Sequence, residues 1–263
     1  MKISVKDYIL ENSLLENEKS IESNILMGNI YIKSQKVSSM ALKYSIDDLS
    51  TIEIRSKDKK YVSRAGYKLE HALDIFDLNL KDMCLLDVGS STGGFVDVSL
   101  KNGIKKVVAL DVGTNQLDFS LRNNDKVEVF EKTNFRTLKE DFFKEKFDYI
   151  TMDVSFISVN LLIDNVINNL KKDGKFICLI KPQFELNKNV PRDNNGVILD
   201  KEYYKDLLLH INNNFIEKGL FINKVDLSPI KGKKGNVEFL TLCSFNKDIV
   251  INEDIINNLI NTI

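Results

Sequence analysis

MCLLDVGSSTGGFVDVSLKNG, residues 83–103, decides the fold. Its opening, MCLLDV, is a short apolar run of the kind that makes a buried strand, and GFVDVSLKNG reads as a helix. Between them DVGSSTGGF, residues 87–95, is a glycine-rich turn. Glycine lets a backbone turn sharply and approach a ligand without a Cβ clash. In an open α/β sheet, ligands bind outside the carboxyl ends of the strands, where this turn falls. Asp87, Gly89, Ser90, Ser91, Thr92, Gly93, Gly94 and Phe95 are therefore candidate cofactor contacts.

Outward from that turn the chain alternates in the α/β manner. AGYKLEHALDIFDL (65–78) predicts a helix with Leu69, Ala72, Leu73 and Phe76 on one face. KKVVALDV (105–112), VEVF (127–130), FDYITMDV (147–154) and KFICLI (175–180) predict strands, with helices at NQLDFSLRNN and over 157–171. A long loop, 182–199, precedes a helix over 201–218. Two late strands, 220–227 and 237–245, are joined by SPIKGKKGN, and a short helix follows. Such βα alternation predicts a Rossmann-like, mostly parallel sheet with an antiparallel edge hairpin.

Residues 1–54 read differently: two helices, VKDYILEN and EKSIESNILMG, then short strands at IYIK and STIEI around a turn-like SQKV. This predicts a small α+β domain over 1–54, a charged linker over 55–64 and a large domain over 65–263.

Composition bounds the class. The chain has 263 residues, 43% hydrophobic and 29% charged, enough for a core without disulfides. No apolar run approaches a membrane span, and the N-terminus lacks a signal-type apolar stretch. Cys84, Cys178 and Cys243 each lie in an apolar run, form no CxxC, and read as reduced core thiols. With only His71 and His210, no metal site is expected. A cytoplasmic, metal-free protein is the expectation.

Three ligands compete for the glycine loop. No Gly-Lys-Ser/Thr follows it, which excludes a P-loop. A dinucleotide site would want Gly-x-Gly-x-x-Gly, whereas this loop has Gly89 and then Gly93-Gly94. S-adenosylmethionine needs no pyrophosphate cradle and suits the loop. Asp87 could accept from its amine or orient the turn. Asp111, with Val112 beside it, closes the second strand where a carboxylate can accept both ribose hydroxyls. Asn134 or Phe135, after the third strand, could meet the adenine.

Net charge is −1, yet basic residues cluster. Lys57, Lys59, Lys60 and Arg64 lie in the linker, and Lys231, Lys233 and Lys234 in KGKK. Such clusters suit phosphates, although solvated loops carry them too.

The blocks YVSRAGYKLEHAL (61–73), LLDVGSSTGGF (85–95), VVALDVGTNQL (107–117), EKTNFR (131–136), DVSFIS (153–158), LIKPQFE (179–185) and SPIKGKKGNVEFL (228–240) resemble, in order, those of the TlyA family. Its members, often labelled hemolysins, are similar to ribosomal RNA 2′-O-methyltransferases of the FtsJ fold. Residues 1–54 resemble the S4-like RNA-binding domain of that family. The resemblance implies a Lys-Asp-Lys-Glu tetrad at Lys68, Asp153, Lys181 and Glu238, with ribosomal RNA or ribosomal subunits as partner and cytidine as target. Lys181 would take the proton of a ribose hydroxyl, Lys68 would be the neighbouring cation, and Asp153 and Glu238 would orient them. From the strand reading alone, Asp153 and Lys181 end strands beside the cofactor loop and Glu238 opens a late strand. Lys68 would have to reach over the site.

Phe184 could stack on a base or fill the core, and loop 186–199 could act as a lid. The first-domain helices carry Glu11, Glu16, Glu18 and Glu22 against Lys6 and Lys19, which shifts RNA contact to Lys33, Lys36 and the linker. Membrane lysis would want an apolar segment or a basic amphipathic helix, and INEDIINNLINTI is acidic. A non-catalytic RNA-binding protein would have no use for an intact tetrad. A methyltransferase for small molecules or proteins leaves the first domain without a purpose.

Overall fold

A computed structural model describes residues 2–15, 17–26, 28–54, 60–232 and 234–263. The chain forms two compact units, Met1–Lys60 and Tyr61–Ile263. The second begins before the expected helix: Tyr61 is buried, and the Val62 N–H donates to Asp97 Oδ2 at 2.9 Å.

The first unit runs β1 (Lys2–Ser4), α1 (Val5–Glu11), α2 (Glu18–Leu26), β2 (Ile30–Ile32), β3 (Gln35–Lys36), β4 (Lys43–Ser45), α3 (Ile46–Leu49) and β5 (Glu53–Ile54). Ser4 and Ser45 cap α1 and α3 by accepting the Asp7 and Asp48 N–H groups. Val5, Ile9, Ile21, Ile30, Ile32, Val37 and Leu49 form its core. SQKV, expected as a turn, supplies one turn residue, Ser34, and then β3. The turn falls on Lys33 and Ser34, whose φ values of 49° and 63° suit the right-handed twist of a two-residue hairpin.

The second unit runs α4 (Ala65–Phe76), β6 (Cys84–Val88), α5 (Gly94–Lys101), β7 (Lys106–Leu110), α6 (Phe119–Arg122), β8 (Val127–Phe130), β9 (Phe147–Met152), α7 (Ile163–Asn169), β10 (Leu170–Ile180), α8 (Pro182–Glu185), α9 (Glu202–Glu217), β11 (Phe221–Leu227), β12 (Phe239–Ser244) and α10 (Glu253–Asn261). The helix expected over NQLDFSLRNN shrinks to α6, because Asn115 is left-handed (φ 52°) and Asp118 caps the helix start. The helix expected over 157–171 yields a 3-10 turn, Val159–Leu161, then α7, and β10 already begins at Leu170.

The seven strands lie in the order β11-β12-β10-β9-β6-β7-β8. From β10 to β8 all pairs are parallel, while β12 runs antiparallel to both β10 and β11. Strand residues alternate between two cores. Leu86, Val108, Phe176 and Cys178 face one side, and Leu85, Val107, Ile177 and Leu179 the other. Both faces are covered, as a parallel sheet requires. Cys178 and Cys243 are buried in the first of these cores, and burial pushes the Cys178 thiol up to about 12. Among the described residues no helix is long and apolar enough to cross a membrane.

Candidate active site

Topology decides what meets at the carboxyl edge. The parallel strands β10, β9, β6 and β7 all end there, so Lys181, Asp153, Gly89 and Asp111 follow one another along it. Because β12 is antiparallel, its first residue is at that edge. Phe239 pairs with Ile180, which sets Glu238 next to Lys181 in the fold. A cavity of about 940 Å³ opens over this edge.

One end of the cavity is the glycine loop. Gly89 (φ 80°) and Gly93 (φ 94°) hold left-handed backbone, and Gly93 begins α5. A Cβ on Gly93 would lie 2.4 Å from Leu121 Cδ1, and one on Gly94 would lie 2.3 Å from Ser63 Oγ and 2.8 Å from the Gly66 nitrogen. These two glycines are thus demanded by packing, beyond any ligand. Gly93 sits behind the lining, whereas Gly89, Ser90, Ser91, Thr92, Gly94 and Phe95 line the cavity.

Asp87 is buried below the loop. Its Oδ1 accepts from Thr151 Oγ1 at 2.8 Å, and its Oδ2 has no partner among the described residues. Burial pushes its carboxyl up to about 7, with the charges of Asp153 and Asp111 acting in the same direction and the Thr151 hydroxyl opposing. Asp111 joins two walls: Oδ2 accepts the Ser91 N–H at 2.8 Å and Oδ1 the Gly113 N–H at 2.7 Å. Each oxygen keeps a second lone pair for a ligand. Val112, Asn134 and Phe135 also line the cavity, although Phe135 is mostly consumed by the core. An orphaned buried carboxylate oxygen and an acid at the next strand end fit a ligand with an ammonium and paired hydroxyls. S-adenosylmethionine is such a ligand.

The other end holds four ionic side chains in a line. Glu238 Oε2 accepts from Lys68 Nζ at 2.6 Å, and Lys68 Nζ lies 3.4 Å from Asp153 Oδ2. Asp153 Oδ1 is 2.5 Å from Lys181 Nζ, which also donates to Ser155 Oγ at 3.2 Å. Lys68, Lys181 and Glu238 are each less than a tenth exposed. Such charges survive burial only when paired, and here the charges alternate in sign. Burial opposes ionisation of Asp153, yet Lys181 and Lys68 together hold its carboxyl below the usual carboxylate range.

Lys68 reaches the site because α4 lies tightly on the start of α5, where Gly94 leaves no side chain to meet Ser63, Ala65 and the Gly66 nitrogen, while Gly66 makes room for the Tyr61 ring. Asp97 ties the two further, accepting from Val62 N while pairing with Lys101 at 2.9 Å. Gly232 serves likewise, since a Cβ there would meet Glu238 Oε1 at 2.9 Å.

Several lining residues escaped the sequence reading. Phe156 is 89% exposed, left-handed (φ 66°), and its ring centroid lies 4.9 Å from that of Phe184. Gln116, Gln183, Arg192 and Asn195 also line the wall. Arg192 donates to the carbonyls of Gln183 and Leu186, and Asn236 binds the Ile198 N–H and the Gly196 carbonyl. These bonds tie loop 186–199 to the site. A polar side chain within a loop carries no local pattern that announces such contacts.

Of the expected RNA contacts, Arg64, Lys231 and Lys234 are exposed at the cavity. Lys33, Lys36 and Lys60 are exposed on the first unit, where Lys33 pairs with Asp48. Lys57, Lys59 and Lys233 lie outside the described residues.

Residues 61–245 match the FtsJ-like methyltransferases, and the chain belongs to that family. Its relatives include proteins named TlyA. The chain is 46% identical over 182 residues to the 23S rRNA (cytidine-2′-O)-methyltransferase TlyA of Campylobacter jejuni, covering 68% of this chain and 69% of the relative. It is 37% identical over 235 residues to Hemolysin A of Brachyspira hyodysenteriae, covering 89% and 96%. A solved Streptococcus thermophilus protein, named as a hemolysin, superimposes with a TM-score of 0.74 at 32% identity, covering 99% and 95%.

Proposed function

We propose that this protein transfers a methyl group from S-adenosylmethionine to the 2′-hydroxyl of a cytidine in ribosomal RNA. The observation that carries this reading is the buried Lys181–Asp153–Lys68–Glu238 line beside the glycine loop. The Campylobacter jejuni relative's name supports the substrate.

Bound S-adenosylmethionine supplies an electrophilic methyl group on a sulfonium. Asp87 and the cavity-lining residues of the loop from Gly89 to Phe95 would hold its amino-acid end, Asp111 its ribose, and Val112, Asn134 and Phe135 would border its base. A ribose hydroxyl is a poor nucleophile until its proton is removed, and placement in line contributes much of the rate. Lys181 Nζ, after giving one of its own protons to solvent, takes that proton, and the Asp153 carboxylate stabilises the ammonium that results. Lys68 fixes Asp153 and is itself fixed by Glu238, so the base cannot swing away. Phe156 and Phe184 offer a face to the nucleobase, as aromatic pairs do for unstacked bases.

Arg64, Lys231 and Lys234 contact RNA phosphates around the cavity, and Lys233 of the same KGKK run adds to that charge. Residues 1–54 act as an S4-like RNA-binding domain through Lys33 and Lys36, with Lys57, Lys59 and Lys60 following in the 55–64 linker. The small sheet and exposed lysines of the first unit support that role.

The test incubates protein and labelled S-adenosylmethionine with ribosomal subunits, free ribosomal RNA and total protein, then maps the modified nucleotide. Label on a cytidine 2′-oxygen is expected, and wild-type protein that leaves RNA unlabelled overturns the reading. Lys181→Ala should lower transfer by about 10³-fold with little change in cofactor affinity. Undiminished transfer by that variant removes Lys181 as the base.

A further inference from the structure

Glu185 is a partly buried carboxyl that the proposed chemistry does not use. It ends α8, the tight turn after Lys181, where the Phe184 and Glu185 N–H groups both return to the Lys181 carbonyl. Its Oε1 accepts the Val159 N–H at 2.9 Å, and the Ser158 hydroxyl hydrogen-bonds the same carboxyl. Ser158 and Val159 start the 3-10 turn after Phe156, so this carboxyl serves as a second cap on that turn beside Ser158 itself.

Phe156 therefore lies between two anchors. Upstream, Asp153 and Ser155 are both held by Lys181 Nζ, at 2.5 Å and 3.2 Å. Downstream, Val159 is held by Glu185. Both anchors belong to the same turn at the end of β10, which also carries Phe184. A bulky aromatic residue at φ 66° is strained and persists only where its surroundings over-determine it. Exposed as it is, Phe156 has little packing to do this. The two clamps remain.

We infer that Glu185 is a positioning residue, which by clamping Val159 fixes Phe156 in the orientation that receives the substrate nucleobase. The inference rests on the reading of the cavity as an RNA ribose methylation site. Glu185 touches neither reacting atom in this scheme. It acts on RNA recognition through Phe156 and leaves the cofactor end of the cavity alone.

Two measurements on the full chain test it. The sequence contains no tryptophan, so Phe156→Trp installs the sole tryptophan, which red-edge excitation reads apart from the eight tyrosines. In that background Glu185→Ala should lower the steady-state anisotropy, while Glu185→Gln, whose carbonyl still accepts from Val159, should keep it. Val159→Pro attacks the other partner. Ser158 already has φ −74° and ψ 139°, suitable before a proline, and the first position of a helical turn tolerates one. It should reproduce the alanine result. Anisotropy unchanged by both Glu185→Ala and Val159→Pro overturns the inference.

The second measurement is kinetic. With Phe156 present, Glu185→Ala should raise the RNA KM by about tenfold at unchanged S-adenosylhomocysteine affinity, and in a Phe156→Ala background it should add nothing. Independent losses in the two backgrounds, or an equal loss of cofactor affinity, speak against it. RNA left unlabelled by wild type instead defeats the substrate reading, and the tryptophan signal still decides the role of Glu185.

Discussion

Lys68 Nζ donates to Glu238 Oε2 at 2.6 Å across a sequence separation of 170 residues. The first helix of the large unit and its last strand are thereby joined through one buried pair. Replacing Lys68 by methionine fills the space but leaves two carboxylates facing each other out of water. Breaking a buried pair on one side costs about 3 kcal/mol, so Lys68→Met should lower the denaturation midpoint and abolish transfer. Lys68→Met/Glu238→Gln, with one fewer buried carboxylate, should recover stability but little activity. Urea melts beside single-turnover assays read both, and equal stability of the single and double variants would refute the coupling.

Asp87 should make cofactor binding depend on pH. With its carboxyl raised to about 7, it is protonated in the folded chain where an unfolded one is already ionised. Its ionisation therefore opposes folding, and this contribution to stability falls as pH rises from the ordinary carboxylate range toward 7. A bound ammonium favours the ionised form, so affinity runs the opposite way. Titration calorimetry with S-adenosylhomocysteine from about pH 5.5 to about pH 8 should show up to about tenfold weakening per unit below neutrality, with proton release. Asp87→Asn should bind more weakly and flatten the profile.

Gly94 is a packing requirement with a catalytic readout. A methyl group there would lie 2.8 Å from the Gly66 backbone nitrogen, which cannot rotate aside as the Ser63 hydroxyl can. Gly94→Ala should therefore push α4 outward, cost about 1–3 kcal/mol and withdraw Lys68 from Asp153. Thermal melts and transfer rates should fall together. A variant with a lowered melting temperature and full activity would show that α4 tolerates the shift.

Lys231 and Lys234 should reveal themselves through salt. If each meets a phosphate, alanine at either weakens RNA binding and reduces the slope of log affinity against log salt by about 1. Fluorescence titrations at several ionic strengths measure this. An unchanged slope in both variants would remove them from the RNA path.

Much of the site is legible in local sequence because parallel strands deliver their successor residues to one edge. MCLLDV followed by a glycine turn, and FICLI followed by Lys181, are enough to place Asp87, Gly89 and Lys181 together. Glu238 needs more, since its position depends on β12 pairing with β10 in the register that sets Phe239 against Ile180. No short-range pattern encodes that register. Phe156 was hidden for another reason: its left-handed backbone arises from bonds made to Lys181 and Glu185 by its neighbours, and nothing in DVSFIS itself demands it. The helix expected over 157–171 is shortened to α7, because its start is a 3-10 turn and its last residues, from Leu170, belong to β10.

The place of β12 has a further consequence. Late in the chain, it is nonetheless an interior strand of the sheet, with β10 on one side and β11 on the other. A product of premature termination anywhere before Glu238 lacks the fourth member of the tetrad and the strand that presents it. During synthesis the ribosome must therefore make nearly the whole large unit before any part of it can methylate. Under the proposed function, a partly made chain would have no catalytic access to the particle that is producing it.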